Sequence, residues 1–306
     1  MSEGILIVEN LTKEYKNIKA LDNVNISLER GKIYGIIGEN GAGKTTLIRM
    51  IAGLGEPTYG EIILFGHKEK GELKNQRKRI GYLIETPSLY LDMTAKDNMK
   101  LHRTIKGIPD MEMDEEILKL VGLESVYNKK AKDFSLGMKQ RLGIAIALIG
   151  NPELLILDEP INGIDPSGIV EIRQLLRKLC EEKNITILIS SHILNELYQL
   201  ATNYIFIHKG RIKENITLKE IDEKCKKYIL LNTDEPERMV YILENVLNTR
   251  NYKVMPDKSI RLYEYIDNRK ELAKAFLENR ILVTNISCES DSLEDYFMNV
   301  VGGKNV

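Results

Sequence analysis

One octapeptide, with the threonine after it, constrains this chain more than any other segment: Gly38-Glu39-Asn40-Gly41-Ala42-Gly43-Lys44-Thr45, then Thr46. It fits G-x-x-x-x-G-K-[ST], and it stands between an apolar strand-like run at 33–37 and a helix-like run at 44–52. Glycines let backbone N–H groups curl around phosphate oxygens, and the helix N-terminus adds its positive end. Lys44 is expected to reach the β- and γ-phosphates of a nucleotide, and the Thr45 hydroxyl to bind Mg²⁺. A glycine-rich structural turn is the alternative, and the flanking strand and helix argue against it.

A second motif is the apolar run Leu154-Leu155-Ile156-Leu157, which ends in Asp158 and Glu159. A continuous apolar run is typical of a strand buried on both faces. Asp158 then suits Mg²⁺ binding through water, and Glu159 is placed to polarise an attacking water as general base. Adjacent acids after a strand are also common in turns, but the phosphate loop upstream favours hydrolysis.

Composition excludes several classes of protein. The chain has 306 residues, 43% hydrophobic and 29% charged, and a net charge of −1. That charge gives no reason to expect nucleic-acid binding. No signal peptide is visible and no apolar run approaches the ~20 residues that span a bilayer, so we expect a soluble protein. Three cysteines, Cys180, Cys225 and Cys288, lie too far apart for a metal-type pair.

The order of predicted elements indicates an α/β domain followed by a smaller one. Strands are expected at 33–37, 61–65, 80–84, 154–157 and 185–189, with a hairpin at 204–208 and 211–214. Four helices are expected to begin at Thr94, Asp114, Ser135 and Asp165. The helices that begin at Ser135 and Asp165 should run to about 149 and 183. Beyond about 217 a β-α-β-β-α-β order predicts a ferredoxin-like α+β domain, closed by a helix capped by Asp291.

The segment Phe134-Ser135-Leu136-Gly137-Met138-Lys139-Gln140-Arg141 resembles the signature motif of the ATP-binding cassette (ABC) family, written L-S-G-G-Q. Taken alone, Ser135 is better read as an ordinary helix cap, and the neighbouring motifs reverse that reading. Other motifs follow in the family's order: Tyr15 resembles the aromatic residue that stacks on adenine, Asn162-Gly163-Ile164-Asp165 the D-loop, and His192 the switch histidine. The resemblance implies that Ser135, Leu136, Gly137 and Met138 contact ATP held by a second copy, and that His192 contacts the γ-phosphate.

Three positions depart from the general family pattern. Leu136 stands where glycine is usual, Met138 where glutamine is usual, and Glu85 at the Q-loop glutamine. A carboxylate at 85 can still bind Mg²⁺, but it adds negative charge near the γ-phosphate. With the segment 292–297, these residues resemble the ATPase subunits of exporters that protect against bacitracin and lantibiotics.

The resemblance implies a P-loop NTPase fold over residues 1–216, with a RecA-like core, a β-subdomain and a helical subdomain at about 88–150. Residues 217–306 would form an accessory domain that regulates the dimer or extends its interface. It also implies an ATPase that needs Mg²⁺, a second copy and a separate transmembrane permease, located in the cytoplasm on the inner face of the membrane. The alternatives are a soluble ABC ATPase that acts on ribosomes or nucleic acid, and, third, a kinase or GTPase.

Overall fold

A six-stranded sheet forms the centre of the first compact unit, which extends to Leu218 in a computed structural model that describes residues 4–225, 227–290 and 293–302. Its strands are β3 (Ile33–Ile37), β5 (Ile80–Leu83), β6 (Leu154–Asp158), β7 (Thr186–Ser191), β8 (Asn203–His208) and β9 (Arg211–Thr217). The spatial order is β5-β6-β7-β3-β8-β9, and only β9 runs antiparallel to its neighbour. β3, β6 and β7 are buried at every position, which explains why most of their residues are apolar.

A second, antiparallel sheet joins β1 (Leu6–Tyr15), β2 (Ile18–Leu28) and β4 (Tyr59–Leu64) in the order β2-β1-β4. One apolar core packs side chains of this sheet against those of the parallel sheet. The sequence analysis predicted a β-subdomain but not the bounds of β1 and β2. Their register shifts repeatedly, and Asn10 and Asn23 have left-handed backbone angles, so the alternation of apolar and polar residues is broken.

The helices of this unit are α1 (Lys44–Ala52), α2 (Lys70–Gln76), α3 (Ala95–Ile105), α4 (Glu112–Leu120), α5 (Leu136–Leu148), α6 (Pro166–Lys183) and α7 (Leu194–Tyr198). Thr94, Ser135 and Asp165 cap α3, α5 and α6, as predicted, each accepting a hydrogen bond from the backbone N–H three residues on. The prediction that Asp114 begins a helix was wrong. Asp110 accepts the backbone N–H groups of Glu112 and Met113, and α4 begins there.

The second compact unit begins at Lys219 and contains a four-stranded antiparallel sheet. Its elements, with α8 entering it, are α8 (Leu218–Lys224), β10 (Lys227–Thr233), α9 (Pro236–Asn245), β11 (Tyr252–Val254), β12 (Ile260–Leu262), α10 (Arg269–Glu278), β13 (Val283–Ser290) and α11 (Leu293–Gly302). The strand order β11-β12-β10-β13 is that of a ferredoxin-like fold, as predicted. α9 and α10 share an apolar core with the sheet. The predicted cap Asp291 lies outside the described residues.

Within the described ranges, no helix combines the length and the apolar character that crossing a membrane requires.

Candidate nucleotide site

The carboxyl ends of three parallel strands bring the predicted site together at one edge of the sheet. β6, β7 and β3 are neighbours, and Asp158 pairs in register with Ser190 while Ile37 pairs with Ser191. The loop that begins at Gly38 follows β3, and His192 follows β7. Residues far apart in sequence therefore leave the sheet side by side, as is usual for ligand sites in parallel α/β sheets.

The glycine-rich loop turns tightly into α1, which begins immediately after Gly43. Gly43 has φ 111°, and a Cβ atom there would stand 2.7 Å from the carbonyl oxygen of Ala20 in β2. The same carbonyl lies against Gly210, where a Cβ would be 2.8 Å away. The loop is therefore held closely against the backbone of β2. Glu39, Asn40 and Gly41 are exposed, whereas Ala42 is buried and Thr46 partly buried.

Lys44 is enclosed by this loop, with 6% of its side chain exposed. Its ammonium donates to the carbonyl oxygens of Gly38, at 2.7 Å, and Glu39, at 3.4 Å. The loop thus holds the lysine at the N-terminal end of α1, where an anion would meet both its charge and the backbone N–H groups.

Thr45 and Asp158 are in direct contact, since the Thr45 hydroxyl donates to Asp158 Oδ2 at 2.8 Å. Ser190 Oγ donates to the other carboxylate oxygen at 2.5 Å and accepts the backbone N–H of Glu159 at 3.1 Å. Hydroxyl and carboxylate oxygens are the hard donors that Mg²⁺ prefers, so Thr45 and Asp158 fit that ion. The described ranges hold no group of three His, Cys, Asp or Glu side chains arranged for a metal, but Mg²⁺ commonly uses only one or two protein carboxylates with water and phosphate oxygens.

Glu159 lies between Lys44 and His192. Its Oε1 is 3.4 Å from Lys44 Nζ, and its Oε2 is 2.8 Å from His192 Nδ1. Its backbone has φ 50°, an unusual angle for a residue with a side chain and one that clusters at functional sites. The carboxylate is partly exposed, so a water molecule can reach it.

Glu85 contacts a different residue from the other predicted metal-binding groups. Its carboxylate pairs with the guanidinium of Arg49 on α1, and 59% of its side chain is exposed. The backbone of Glu85 also has a left-handed angle, φ 62°. The structure therefore brings Thr45 and Asp158 together and joins Glu85 to Arg49.

The signature residues begin α5 beside the D-loop of the same chain. Ser135 Oγ accepts the backbone N–H of Met138, while Leu136 is 46% exposed. A Cβ built at Gly163 would lie 3.3 Å from Leu136, and one at Gly137 would lie 3.5 Å from Ile164. The leucine that replaces the usual glycine is thus at the surface and adjoins the D-loop.

The first and last residues of the D-loop, Asn162 and Asp165, are held by different hydrogen bonds. The Ser167 hydroxyl and the backbone N–H of Gly168 donate to Asp165, which lowers the pKa of its carboxyl group and keeps it charged at the start of α6. Asn162 is exposed, and its backbone N–H bonds to the carbonyl of Glu159 at 3.2 Å. The D-loop is therefore joined directly to the proposed base.

Tyr15 stands at the end of β1 with about half of its surface exposed. The Lys13 ammonium lies 5.0 Å from the centre of its ring, a cation–π contact. The ring is accessible to a planar ligand.

Two residues of this site were not assigned a role from the sequence. Ser190 carries a usable signal, because it precedes His192 at the end of a strand next to Asp158. Arg49 lies within a helix that already serves the phosphate loop, and nothing local links it to Glu85. Only the fold brings these two together.

Comparison with known proteins identifies the family. The family model described as ABC transporter matches residues 21–162, which include the glycine-rich loop, the signature segment and the acidic strand end. Among characterised relatives, the bacitracin transport ATP-binding protein BcrA of Bacillus licheniformis is 44% identical over 98% of each chain. The lantibiotic transport ATP-binding protein SrtF of Streptococcus pyogenes is 45% identical over 68% of this chain and 89% of its own.

Solved structures agree as well. A dimeric ATP-binding cassette bound to ADP and phosphate after hydrolysis is 30% identical, with a TM-score of 0.63 over 70% of this chain and 98% of that one. The cbiO1 protein of Clostridium perfringens, part of the ABC transporter complex cbiONQ, has a TM-score of 0.66 at 28% identity, over 80% and 96% of the two chains. The P-loop NTPase fold and the resemblance inferred from the motifs are both confirmed.

Proposed function

Because this chain belongs to the ATP-binding proteins of ABC transporters, we propose that its ATPase activity powers export of peptide antibiotics of the bacitracin or lantibiotic type. The convergence of Lys44, Asp158, Glu159 and His192 at one edge of the sheet is the observation that carries the ATPase part of the proposal. Near full-length similarity to BcrA supports the choice of cargo class.

Binding of ATP begins at the glycine-rich loop. The loop N–H groups and the N-terminus of α1 receive the phosphates, and Lys44 turns from Glu159 and the Gly38 carbonyl towards their negative charge. This exchange leaves Glu159 held by His192 and free on its other oxygen.

Hydrolysis follows as an in-line displacement at the γ-phosphorus. Glu159 accepts a proton from the attacking water as the new P–O bond forms. The bond between the γ-phosphorus and the bridging oxygen breaks, and ADP leaves with the electron pair. His192 holds the Glu159 carboxylate through Nδ1 and presents the rest of its ring to the γ-phosphate.

Thr45 and Asp158 would hold Mg²⁺, Asp158 through water, and Ser190 fixes the Asp158 carboxylate for that task. When bound, the ion would neutralise the charge that develops between the β- and γ-phosphates.

A second copy of the chain completes the site in this proposal. Ser135 and Leu136 are exposed at the N-terminus of α5, as a surface that meets the partner's ATP requires. Two copies would enclose two ATP molecules, and a solved cassette of similar sequence is dimeric. The dimer would act on a separate membrane subunit and therefore lie on the cytoplasmic face of the membrane, as the transport role of the BcrA and SrtF relatives suggests.

The test is deletion of the gene in its host, followed by measurement of the concentrations of bacitracin and of a lantibiotic that stop growth. We expect increased sensitivity to one of the two, restored by the wild-type gene and not by Lys44→Ala. Unchanged sensitivity to both compounds would refute the export role. Purified protein provides the separate check on ATPase activity, which Lys44→Ala should abolish.

A further inference from the structure

The Arg49–Glu85 ion pair is the part of the site that the proposed mechanism does not use. Arg49 is in the last turn of α1, and its guanidinium contacts Glu85 Oε1. Glu85 follows β5 and keeps a left-handed backbone angle. Such angles persist where the surroundings hold them.

The position of Arg49 on α1 connects the pair to the nucleotide site. Arg49 follows Thr45 by four residues, and residues with this spacing are neighbours on one face of a helix. Thr45 contacts Asp158 from that face. The cation that holds Glu85 therefore stands one helical turn from the hydroxyl proposed to bind the metal.

A glutamate at this position has two opposite electrostatic effects on the site. Its charge repels the phosphates of ATP, whereas the same charge attracts Mg²⁺. A guanidinium that pairs with the carboxylate weakens both effects, because it offsets the charge and occupies an oxygen atom.

We propose that Arg49 is a positioning residue for Glu85, which it holds against α1 and neutralises so that ATP binds without repulsion from the additional carboxylate. This inference rests on the proposed metal site at Thr45 and Asp158. Arg49 thereby offsets the negative charge of Glu85, a charge that the glutamine usual at this position would not carry.

A purely structural role for Arg49 makes a different prediction. A cation in the last turn of a helix stabilises its negative C-terminal end. That effect does not depend on the side chain at residue 85. A double-mutant cycle therefore separates the two roles.

The experiment measures ATP binding by calorimetry, with and without Mg²⁺, in protein that carries Glu159→Gln to suppress hydrolysis. The cycle comprises Arg49→Ala, Glu85→Gln, the double variant and their parent. Arg49→Ala should weaken ATP binding in the absence of Mg²⁺ about two- to fivefold. It should also lower, by a similar factor, the Mg²⁺ concentration that gives half of the Mg²⁺ effect on ATP binding. With Glu85→Gln present, both changes should shrink by at least about half. Arg49→Lys should retain most of the parent's behaviour.

Two controls accompany the cycle. Lys68→Ala removes a cation from a similarly exposed pair, Lys68–Glu61, and should change neither binding constant. Salt at about 1 M should reduce the Arg49→Ala effect, because the pair is exposed, with 44% of the Arg49 side chain accessible.

Equal effects of Arg49→Ala in both backgrounds, or no effect in either, would overturn the positioning role. Thr45→Ala tests the premise separately. If it leaves the Mg²⁺ dependence unchanged, the proposed metal site fails. If Thr45→Ala weakens the Mg²⁺ dependence as expected but the cycle shows no coupling between residues 49 and 85, the role of Arg49 is refuted and the proposed metal site stands.

Discussion

At the scale of single residues, the contacts of Glu159 fit a general base in a site to which ATP has not yet bound. Lys44 and His192 each hold one of its oxygens. Glu85 lies after a different strand and pairs with Arg49. We propose different roles for the two glutamates: Glu159 activates water, whereas Glu85, paired with Arg49, couples the nucleotide state to the membrane subunit.

Replacement of these glutamates by glutamine separates the roles. Glu159→Gln should lower kcat about 10²- to 10⁴-fold, since the general base is lost. It should leave ATP binding equal or tighter, because Lys44 no longer has Glu159 as a competing partner. Glu85→Gln should retain most of the turnover. Phosphate release and nucleotide binding measure these effects, and the reverse pattern of turnover would show the assignment to be wrong.

Ser190→Ala tests the buried hydroxyl that holds Asp158. The loss leaves Asp158 Oδ1 without its 2.5 Å partner in a buried position, so the free energy of unfolding should fall by about 1–3 kcal/mol. The Mg²⁺ concentration needed for hydrolysis should rise. Ser191→Ala is the matched control, because that hydroxyl accepts the backbone N–H of Ile193 and should not affect the metal requirement. An equal rise in both variants would contradict the role given to Ser190.

At the scale of helices and strands, prediction from sequence succeeded where local chemistry sets an element's ends. α1 follows the glycine-rich loop and α6 follows the Asp165-Pro166 start, and the approximate bounds predicted for both helices match the structure. The bounds of β1 and β2 were missed because their register depends on pairing across the sheet. α4 was predicted to begin two residues late, since Asp114 turns inward to a buried ion pair with Arg103 at 2.9 Å. Contacts of that kind are set by tertiary packing, and the contact between Arg49 and Glu85 is of the same kind.

Glu153 ties two connecting segments to the start of β6. It accepts from Arg79 at 2.6 Å and from Arg30 at 2.5 Å, and these two hydrogen bonds lower the pKa of its carboxyl group from the usual 4.5. A carboxyl with a lowered pKa in the folded state contributes stability above pH 4.5, and that contribution disappears as the pH falls through the lowered value.

Glu153→Gln should therefore lower the melting temperature at pH 7 and reduce the loss of stability on acidification below pH 4.5. Thermal melts from pH 3 to pH 7 measure both. Glu61→Gln provides the control, since its partner Lys68 forms an exposed pair of little expected value. If the melting temperatures of wild type and Glu153→Gln change with pH in the same way over this range, the stability contribution of Glu153 is excluded.

At the scale of the whole molecule, the chain consists of two compact units, each with an apolar core. We propose that the second unit steadies the ATP-bound dimer, because its core exceeds what a flexible tail would carry.

Truncation after Leu218 tests that proposal. In the Glu159→Gln background, the truncated chain should still bind ATP but dimerise more weakly than the full chain. Sedimentation velocity at several protein concentrations measures the dimer, and circular dichroism checks that the shortened chain is folded. Dimerisation of equal strength in the two proteins would count against a steadying role.

The carbonyl of Ala20 has a consequence for how this protein could evolve. It lies within 3 Å of where a side chain would begin at Gly43 and at Gly210, two residues that are distant in sequence. The first substitution at either position must displace the backbone of β2, so the protein loses the full stability associated with that shift. Once β2 has moved, the second substitution meets less obstruction, so the pair should do less harm together than the sum of the single effects. This positive epistasis joins the glycine-rich loop to the turn between β8 and β9, where the Gly210 N–H donates to the Ala42 carbonyl at 2.8 Å, and single-site mutational scans would not detect it.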